Sequence, residues 1–483
     1  MAAQLDPLRN RVPVKLHHIH IMGVCGTGMA AMAGMLKERG FRVTGSDQNV
    51  YPPMSDFLAR SGIEVMEGYR AENLDPRPDL VIVGNVIQAV FAEAEALAKL
   101  KIPYLSMPQA LGHFFLQDLT SLVVAGTHGK TTTSSLLATA LYRAGSSPGF
   151  LIGGIVEAFG RNYRLGKGEF FVVEGDEYDT AFFNKVSKFL HYRPHFAILT
   201  SIEFDHADIF SDLDQIKDSF TRFVRLIPRD GALIACVDDP VVAEIAEKCP
   251  GRVISYGTGA DCRWQLDNFC ASGMRSSFTA IKDGAVYGEF SLPMPGIHNG
   301  LNSLAVIALM EHLGIDRTAI RQGLDSFEGV KRRQQVRGEI DNILVLDDFA
   351  HHPTAVKETI KALRLAWPDR RLVIVFEPRT NSSRRAVFQQ QYATAFAGAD
   401  QVIIPEIVPL AGLPPEEQFS SLVLVQALAS QEIDAHYFAD TGAILDFLET
   451  SSRSGDIIAI LSNGGFDDIH KRLLDRLKNR DSG

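Results

Sequence analysis

Three times along this chain a short apolar stretch runs into a glycine-rich or polar turn and then a helix-forming stretch, which confines the fold to alternating β/α architecture with mostly parallel sheets. The first copy runs from His18 to Asp47, HIHIMGVCGTGMAAMAGMLKERGFRVTGSD. Met29, Met32 and Leu36 fall at helical spacing, Gly40 stands where a helix C′ residue belongs, and a second strand ends at Gly45-Ser46-Asp47, making a mononucleotide-binding βαβ half. The second copy begins near Ser121 with SLVVAG, passes through THGKTTT, and continues into a helix with Leu136, Leu137 and Leu141 on one face that ends near Gly145. The third, after about residue 336, contains the strands NILVLDD, RLVIVFEP, QVIIPE and DIIAIL with helical segments between them. Between residues 250 and 295, runs such as VISYGTG and GEFSLPMPG predict a small antiparallel excursion.

At about 150 residues per domain, 483 residues make about three domains. Boundaries are placed at 1–115, 116–335 and 336–483. Acidic residues outnumber basic ones 58 to 48, and the formal charge of -10 offers no net field for nucleic acid or an anionic membrane. An anionic substrate must then be held by local devices such as helix N-termini, lysines, arginines or metal ions. The five cysteines contain no C-x-x-C pair and read as free thiols of a reducing compartment. With no apolar run of membrane-spanning length and no secretory core in MAAQLDPLRNRVPVKL, the expected location is the cytoplasm, without membrane insertion.

The strongest local signal is Gly126-Thr127-His128-Gly129-Lys130-Thr131-Thr132, between a strand and a helix. Successive backbone amides, a lysine and a hydroxyl at a helix start enclose nucleotide phosphates, with Lys130 reaching the β/γ-phosphates and Thr131 a magnesium ion. Val124 replaces the first glycine of the ordinary phosphate loop, so the match is to the narrower G-T-x-G-K-T-T. Next, FFVVEGDEYDTAFF brings Glu174 to the end of an apolar strand, where α/β folds present metal ligands, while Asp176 and Asp179 also suit a solvated acidic loop. HFAILTSIEFDHADIF likewise leads to Glu203, Asp205 and His206; a neutral imidazole there suits a second metal, although a lone histidine is more often structural. His17, His18 and His20 do not converge on a metal, because strand alternation separates neighbours, and are read as structural.

Taken in order, Gly126 to Thr132, Glu174, Asp205-His206, Pro295-Gly296-Ile297-His298-Asn299 with Asn302, Val330-Lys331-Arg332-Arg333, and Asp347 to Pro353 (DDFAHHP) resemble the Mur ligases of bacterial cell-wall synthesis across nearly the whole chain. The resemblance implies a Rossmann-like N-terminal domain for a UDP-sugar, a P-loop ATP-binding central domain, and a Rossmann-like C-terminal domain for the incoming amine. It makes Thr131 and Glu174 magnesium ligands, His206 a ligand of a second magnesium, Asn299 an adenine contact, Arg333 a γ-phosphate contact and Asp348 the C-terminal domain's contact to ATP. Some members carry a carbamylated lysine one short helix after the Asp-His pair; here that stretch is Lys217-Asp218-Ser219-Phe220-Thr221-Arg222, and Lys217 comes too early.

The resemblance also decides the reading of Gly23-Val24-Cys25-Gly26-Thr27-Gly28-Met29. Alone this is a weak dinucleotide signal, with Asp47 nineteen residues after Gly28 suited to a ribose. Within the family it becomes the UDP site, with Gly26, Thr27, Gly28, Met29, Ser46 and Asp47 as contacts. Ser46 to Ser55, Asp176 to Phe183, Glu377-Pro378-Arg379-Thr380-Asn381 and Ser462 to Phe466 resemble the branch that joins L-Ala-γ-D-Glu-meso-diaminopimelate to UDP-N-acetylmuramate in cell-wall recycling; the alternative is the branch that adds L-alanine. Arg379 and Asn381 are then expected at the peptide, because arginine matches carboxylate geometry. Arg384 and Arg385 read either as further carboxylate contacts or as a solvated helix face. The implied partners are UDP-N-acetylmuramate, ATP, Mg2+ and the tripeptide, on a monomer or weak homo-oligomer.

Overall fold

A computed structural model describes residues 2–205 and 209–480, so His206 lies outside the described residues. The chain divides into two compact units: Met1–Ile202 with Lys217–Ser255 and Ala308–Gly323, and Glu203–Ile216 with Tyr256–Ile307 and Leu324–Gly483.

The first unit holds two sheets. In the N-terminal one, five parallel strands run in the spatial order Glu64–Glu67, Arg42–Asp47, His18–Met22, Leu80–Val83, Tyr104–Ser106. Helix Thr27–Glu38 covers it, burying Met29, Met32 and Leu36 as the spacing predicts, and Gly40 at φ +91° takes the left-handed position beyond its end. His20 sits inside this layer as a structural residue: its Nε2 lies 2.7 Å from Glu93 Oε1 and its Nδ1 2.9 Å from Thr44 Oγ1.

The larger sheet of this unit runs Ala232–Cys236, Phe196–Leu199, Thr120–Ala125, Phe170–Gly175, Gly149–Val156, Arg161–Arg164, parallel except for its last pair. Thr120–Ala125 feeds helix Lys130–Arg143, which is buried from Thr131 to Leu141; its run of five small hydroxyl residues, Thr131 to Ser135, lets it pack closely where bulkier residues would not fit. The two sheets are joined by a tight contact. Tyr163, on strand Arg161–Arg164, lies over Gly34 of the N-terminal helix, meets Phe57 edge-on at 6.0 Å and donates its hydroxyl to Glu38 at 3.0 Å.

In the second unit Trp264–Ser272, Arg275–Lys282 and Ala285–Leu292 form the expected antiparallel excursion. The C-terminal sheet runs Gln335–Ile340, Ile343–Asp348, Ile457–Ser462, Leu372–Glu377, Gln401–Pro405, Asp434–Phe438. Its inner strands bury both faces: Leu344, Leu346, Ile374 and Phe376 enter one core, Val345, Val373, Val375 and Ile458 the other. Two edge strands escape the apolar-run reading. QVRGEI pairs antiparallel and DAHYF is half-exposed, so neither needs the continuous aliphatic sequence of a central strand. Among the described residues no helix is long and apolar enough to cross a membrane.

A Cβ on Gly34 would fall 2.4 Å from the Tyr163 hydroxyl and 2.9 Å from Phe57 Cζ. Gly34→Leu is therefore expected to cost about 1–3 kcal/mol through overpacking, read as a lower urea midpoint with an unchanged slope.

Candidate active site

Strand Phe170–Gly175 pairs in parallel with Thr120–Ala125 so that Glu174 stands opposite Val124, two residues before the turn at Gly126. That register delivers the Glu174 carboxylate to the phosphate loop: Thr131 Oγ1 donates to Glu174 Oε1 at 2.9 Å. The other carboxylate oxygen accepts from the backbone N–H of Gly153 at 2.7 Å, and a Cβ at Gly153 would fall 3.0 Å from it.

The loop itself is held from outside. Thr127 N donates to Ser201 O at 2.7 Å, His128 N to Ser201 Oγ at 3.1 Å, and Thr200 Oγ1 to His128 O at 2.6 Å. Gly126, at φ +133°, is required there, since a Cβ would lie 2.1 Å from Thr200 Oγ1. The amides of Thr127 and His128 thus shape the loop against Ser201. The helix start at Gly129, whose φ is +79°, carries the outward-facing amides of Lys130, Thr131 and Thr132.

Lys130 Nζ bonds Gly126 O at 2.6 Å and the Glu177 carboxylate at 2.9 and 3.0 Å. Burial lowers the Lys130 pKa, but Glu177 and then Asp176 and Glu174 more than compensate, so it is raised overall and the ammonium stays charged. Glu177, 2% exposed, is the partner that sequence reasoning left without a role. Asp176, 35% exposed, is ion-paired rather than a free solvated acid. Lys188 Nζ donates to it at 2.6 Å, and although burial pushes its pKa up, Lys188 and Lys130 bring it down to about 2. Asp179, 24% exposed, is likewise ion-paired, its partner the exposed Lys185, so it does not stand as a free solvated acid.

Gly26, Thr27, Gly28 and Met29 line one wall of a cleft of about 300 Å³ whose other wall carries Glu174, Asp176 and Lys188. Gly26 and Met29 also line a neighbouring recess with Asp47, Asn49, Tyr69 and Asn85. Asp47 accepts from the amides of Cys25 at 2.8 Å and Asn49 at 3.0 Å, fixing the glycine loop. Ser46 points inward, its hydroxyl donating to Glu93 at 2.8 Å.

In the second unit three residues distant in sequence, Asn299, Gln334 and Asp348, form one chain. Asn299 Nδ2 donates to Pro295 O at 2.7 Å and Gln334 Oε1 at 3.1 Å, Gln334 N donates to Asp348 Oδ2 at 2.8 Å, and Ala350 N to Asp348 Oδ1 at 2.7 Å. Burial raises the Asp348 pKa, against the opposing pull of Arg333 and these two amides. Arg333 lies 4.8 Å over the Phe349 ring. Gln334 escaped sequence reasoning because an amide relay leaves no spacing signature.

At the C-terminal ends of the parallel strands, Ser462 Oγ donates to Glu377 and accepts from Gly464 N at 3.0 Å. Arg379 Nη1 stands 3.5 Å from Glu377 Oε1, with its side chain running against Gly464, and Asn381 follows in the adjoining turn. Arg384 and Arg385 are not on a helix face: Thr380 hydroxyl and carbonyl bonds wind residues 380–385 into a turn, and Arg384 Nη1 donates to Val408 O at 3.1 Å.

Family models match along the chain in order: Mur ligase family, catalytic domain, at residues 18–118; Mur ligase middle domain at 124–310; and Mur ligase, glutamate ligase domain, at 332–464. The UDP-N-acetylmuramate–L-alanyl-gamma-D-glutamyl-meso-2,6-diaminoheptandioate ligase of Escherichia coli (strain K12) is 40% identical over 95% of this chain and 98% of its own. The UDP-N-acetylmuramate–L-alanine ligase of Geotalea uraniireducens (strain Rf4) is 34% identical over 96% of this chain and 99% of its own. The crystal structure of a murein peptide ligase from Psychrobacter arcticus 273-4 is 35% identical, covers 96% of this chain and 99% of its own, and superposes with a TM-score of 0.71. With three domain models in sequence and relatives aligned almost end to end, this chain belongs to the Mur ligase family.

Proposed function

We propose that this chain joins the amine of L-Ala-γ-D-Glu-meso-diaminopimelate to the carboxylate of UDP-N-acetylmuramate, using ATP through an acyl phosphate. The observation that carries the reading is the shared cleft: the glycine loop at Gly26 to Met29 and the Glu174 carboxylate beside the phosphate loop face the same space. A sugar acid held on the first is thereby brought to a phosphoryl group held on the second. The tripeptide, rather than L-alanine, is favoured by the 40% identity to the Escherichia coli ligase that carries it in its name, against 34% for the alanine ligase. We assign residues 1–115 to the sugar, 116–335 to ATP and 336–483 to the peptide, and place the enzyme in the cytoplasm, where ATP is supplied.

The chemistry follows from the poor electrophilicity of a carboxylate. Its oxygen attacks the γ-phosphorus and ADP departs; the amine nitrogen then attacks the acyl carbon, phosphate leaves, and the nitrogen gives up its proton. Lys130, at the loop, and Arg333, beside Asp348, neutralise charge on the moving phosphoryl group, and Asn299 with Gln334 positions the adenine. Thr131 Oγ1 and Glu174 are hard oxygen donors 2.9 Å apart and fit Mg2+, with His206 assigned to a second ion. Bound there, Mg2+ would offset phosphate charge. Arg379, 54% exposed at the strand ends, is assigned to a peptide carboxylate and Asn381 to the peptide beside it.

Phosphate release from ATP with UDP-N-acetylmuramate is expected to rise strongly on adding the tripeptide and little on adding L-alanine; stimulation by L-alanine instead would make the chain an alanine ligase. Lys130→Ala is expected to abolish turnover in the same assay. Glu174→Gln should lower kcat by about a hundredfold or more, the scale of one preorganised electrostatic contact, and raise the Mg2+ concentration for half-maximal rate; an unchanged Mg2+ requirement would remove Glu174 from the metal. Arg379→Ala should raise the tripeptide KM far more than the ATP KM, and equal effects on both would refute its assignment.

A further inference from the structure

Resting on the reading above, we propose that Lys188 is the residue that receives the substrate sugar's carboxylate in the cleft and sets its aim at the phosphoryl donor. Among the described residues lining that cleft, Lys188 is the cation, while Glu174 and Asp176 are both carboxylates. An acid entering beside two like charges needs a counter-charge within reach. Lys130 is engaged at the phosphate loop by Gly126 O and Glu177, which leaves Lys188 to meet the acid.

The mounting of Lys188 suits a binding group. Its ammonium gives one N–H to Asp176 Oδ2 at 2.6 Å, which orients the head and leaves two N–H for a ligand. The Tyr178 ring, 5.6 Å from Nζ, flanks the side chain. Lys188 N donates to Tyr178 O at 2.9 Å and Phe189 N to Asp176 O at 3.2 Å, so the lysine and its acidic partner are tied through the backbone as well. Immediately after it, Phe189 is anchored between Phe223 at 4.7 Å and Phe220 at 5.1 Å. The side chain is 19% exposed, open to the cleft yet short of the freedom of a surface lysine. Lys188 lines the same cleft as the glycine loop and Glu174, and an acid carried on a sugar must lie in that cleft if the sugar's diphosphate occupies the first and the γ-phosphate the second.

A purely structural lysine, holding Asp176 in place, would affect every ligand of the cleft alike. Titration calorimetry on the full-length protein with UDP-N-acetylmuramate and with UDP-N-acetylglucosamine, which lacks the lactyl carboxylate, separates the two roles. Lys188→Met is expected to weaken UDP-N-acetylmuramate binding by about tenfold or more, the scale of a lost charge-assisted hydrogen bond, and to leave UDP-N-acetylglucosamine within about twofold of wild type. Lys188→Arg should keep most of the wild-type preference for the acid. Equal loss for both sugars, or no loss for either, overturns the proposal; should Lys188→Met melt early, Lys188→Gln is read by the same criteria. Wild-type protein that binds neither sugar would instead overturn the functional reading beneath it.

Discussion

The site depends on one strand register. Glu174 faces Val124 across a parallel pair, and the next position, Gly175, faces Ala125 where the phosphate loop begins. Because side chains alternate along a strand, a slip of one residue would turn Glu174 to the opposite face and bring Val173 to the loop. The register is fixed by burial on both faces: Phe171, Val172 and Val173 are each at most 1% exposed, so no shifted pairing hides the same apolar area. The Glu174 carboxylate is thus placed by hydrophobic packing one to three residues away, and the acidic cluster at 174, 176 and 177 follows from where that strand runs out.

Opposite charges then arrange themselves at the strand's end. Three carboxylates within four positions would repel one another if unpaired; instead Glu177 takes Lys130, Asp176 takes Lys188, and Glu174 takes a hydroxyl and a backbone amide. Each acid has a different partner, so each keeps a different character. Glu174 is held by neutral donors, whereas Asp176 and Glu177 hold lysines.

Much of this was legible in the sequence, for reasons that differ from place to place. The helix Thr27–Glu38 and its glycine end, the phosphate loop, and the central C-terminal strands all announce themselves through periodicity and local turn chemistry. Glu174 was found because it ends an apolar run. Glu177 and Lys188 were not singled out, since their roles arise from a pairing across 47 residues in one case and a hairpin return in the other. Gln334 is a relay between Asn299 and Asp348, and a relay is visible only once both ends are in place. The turn that holds Arg384 left two readings open, a carboxylate contact or a helix face, because its polar residues carry no periodicity that would decide between them.

The notch at Gly34 has a further consequence. Because the Tyr163 ring fills it and its hydroxyl ties to Glu38, the helix that begins at the sugar loop is clamped to a strand of the sheet that carries the phosphate loop. The clamp acts as a ruler. On the proposed reading, the clamp fixes the span from the glycine loop to the phosphate loop, so a sugar nucleotide whose acid hangs on a shorter or longer arm would bind at one end and miss at the other.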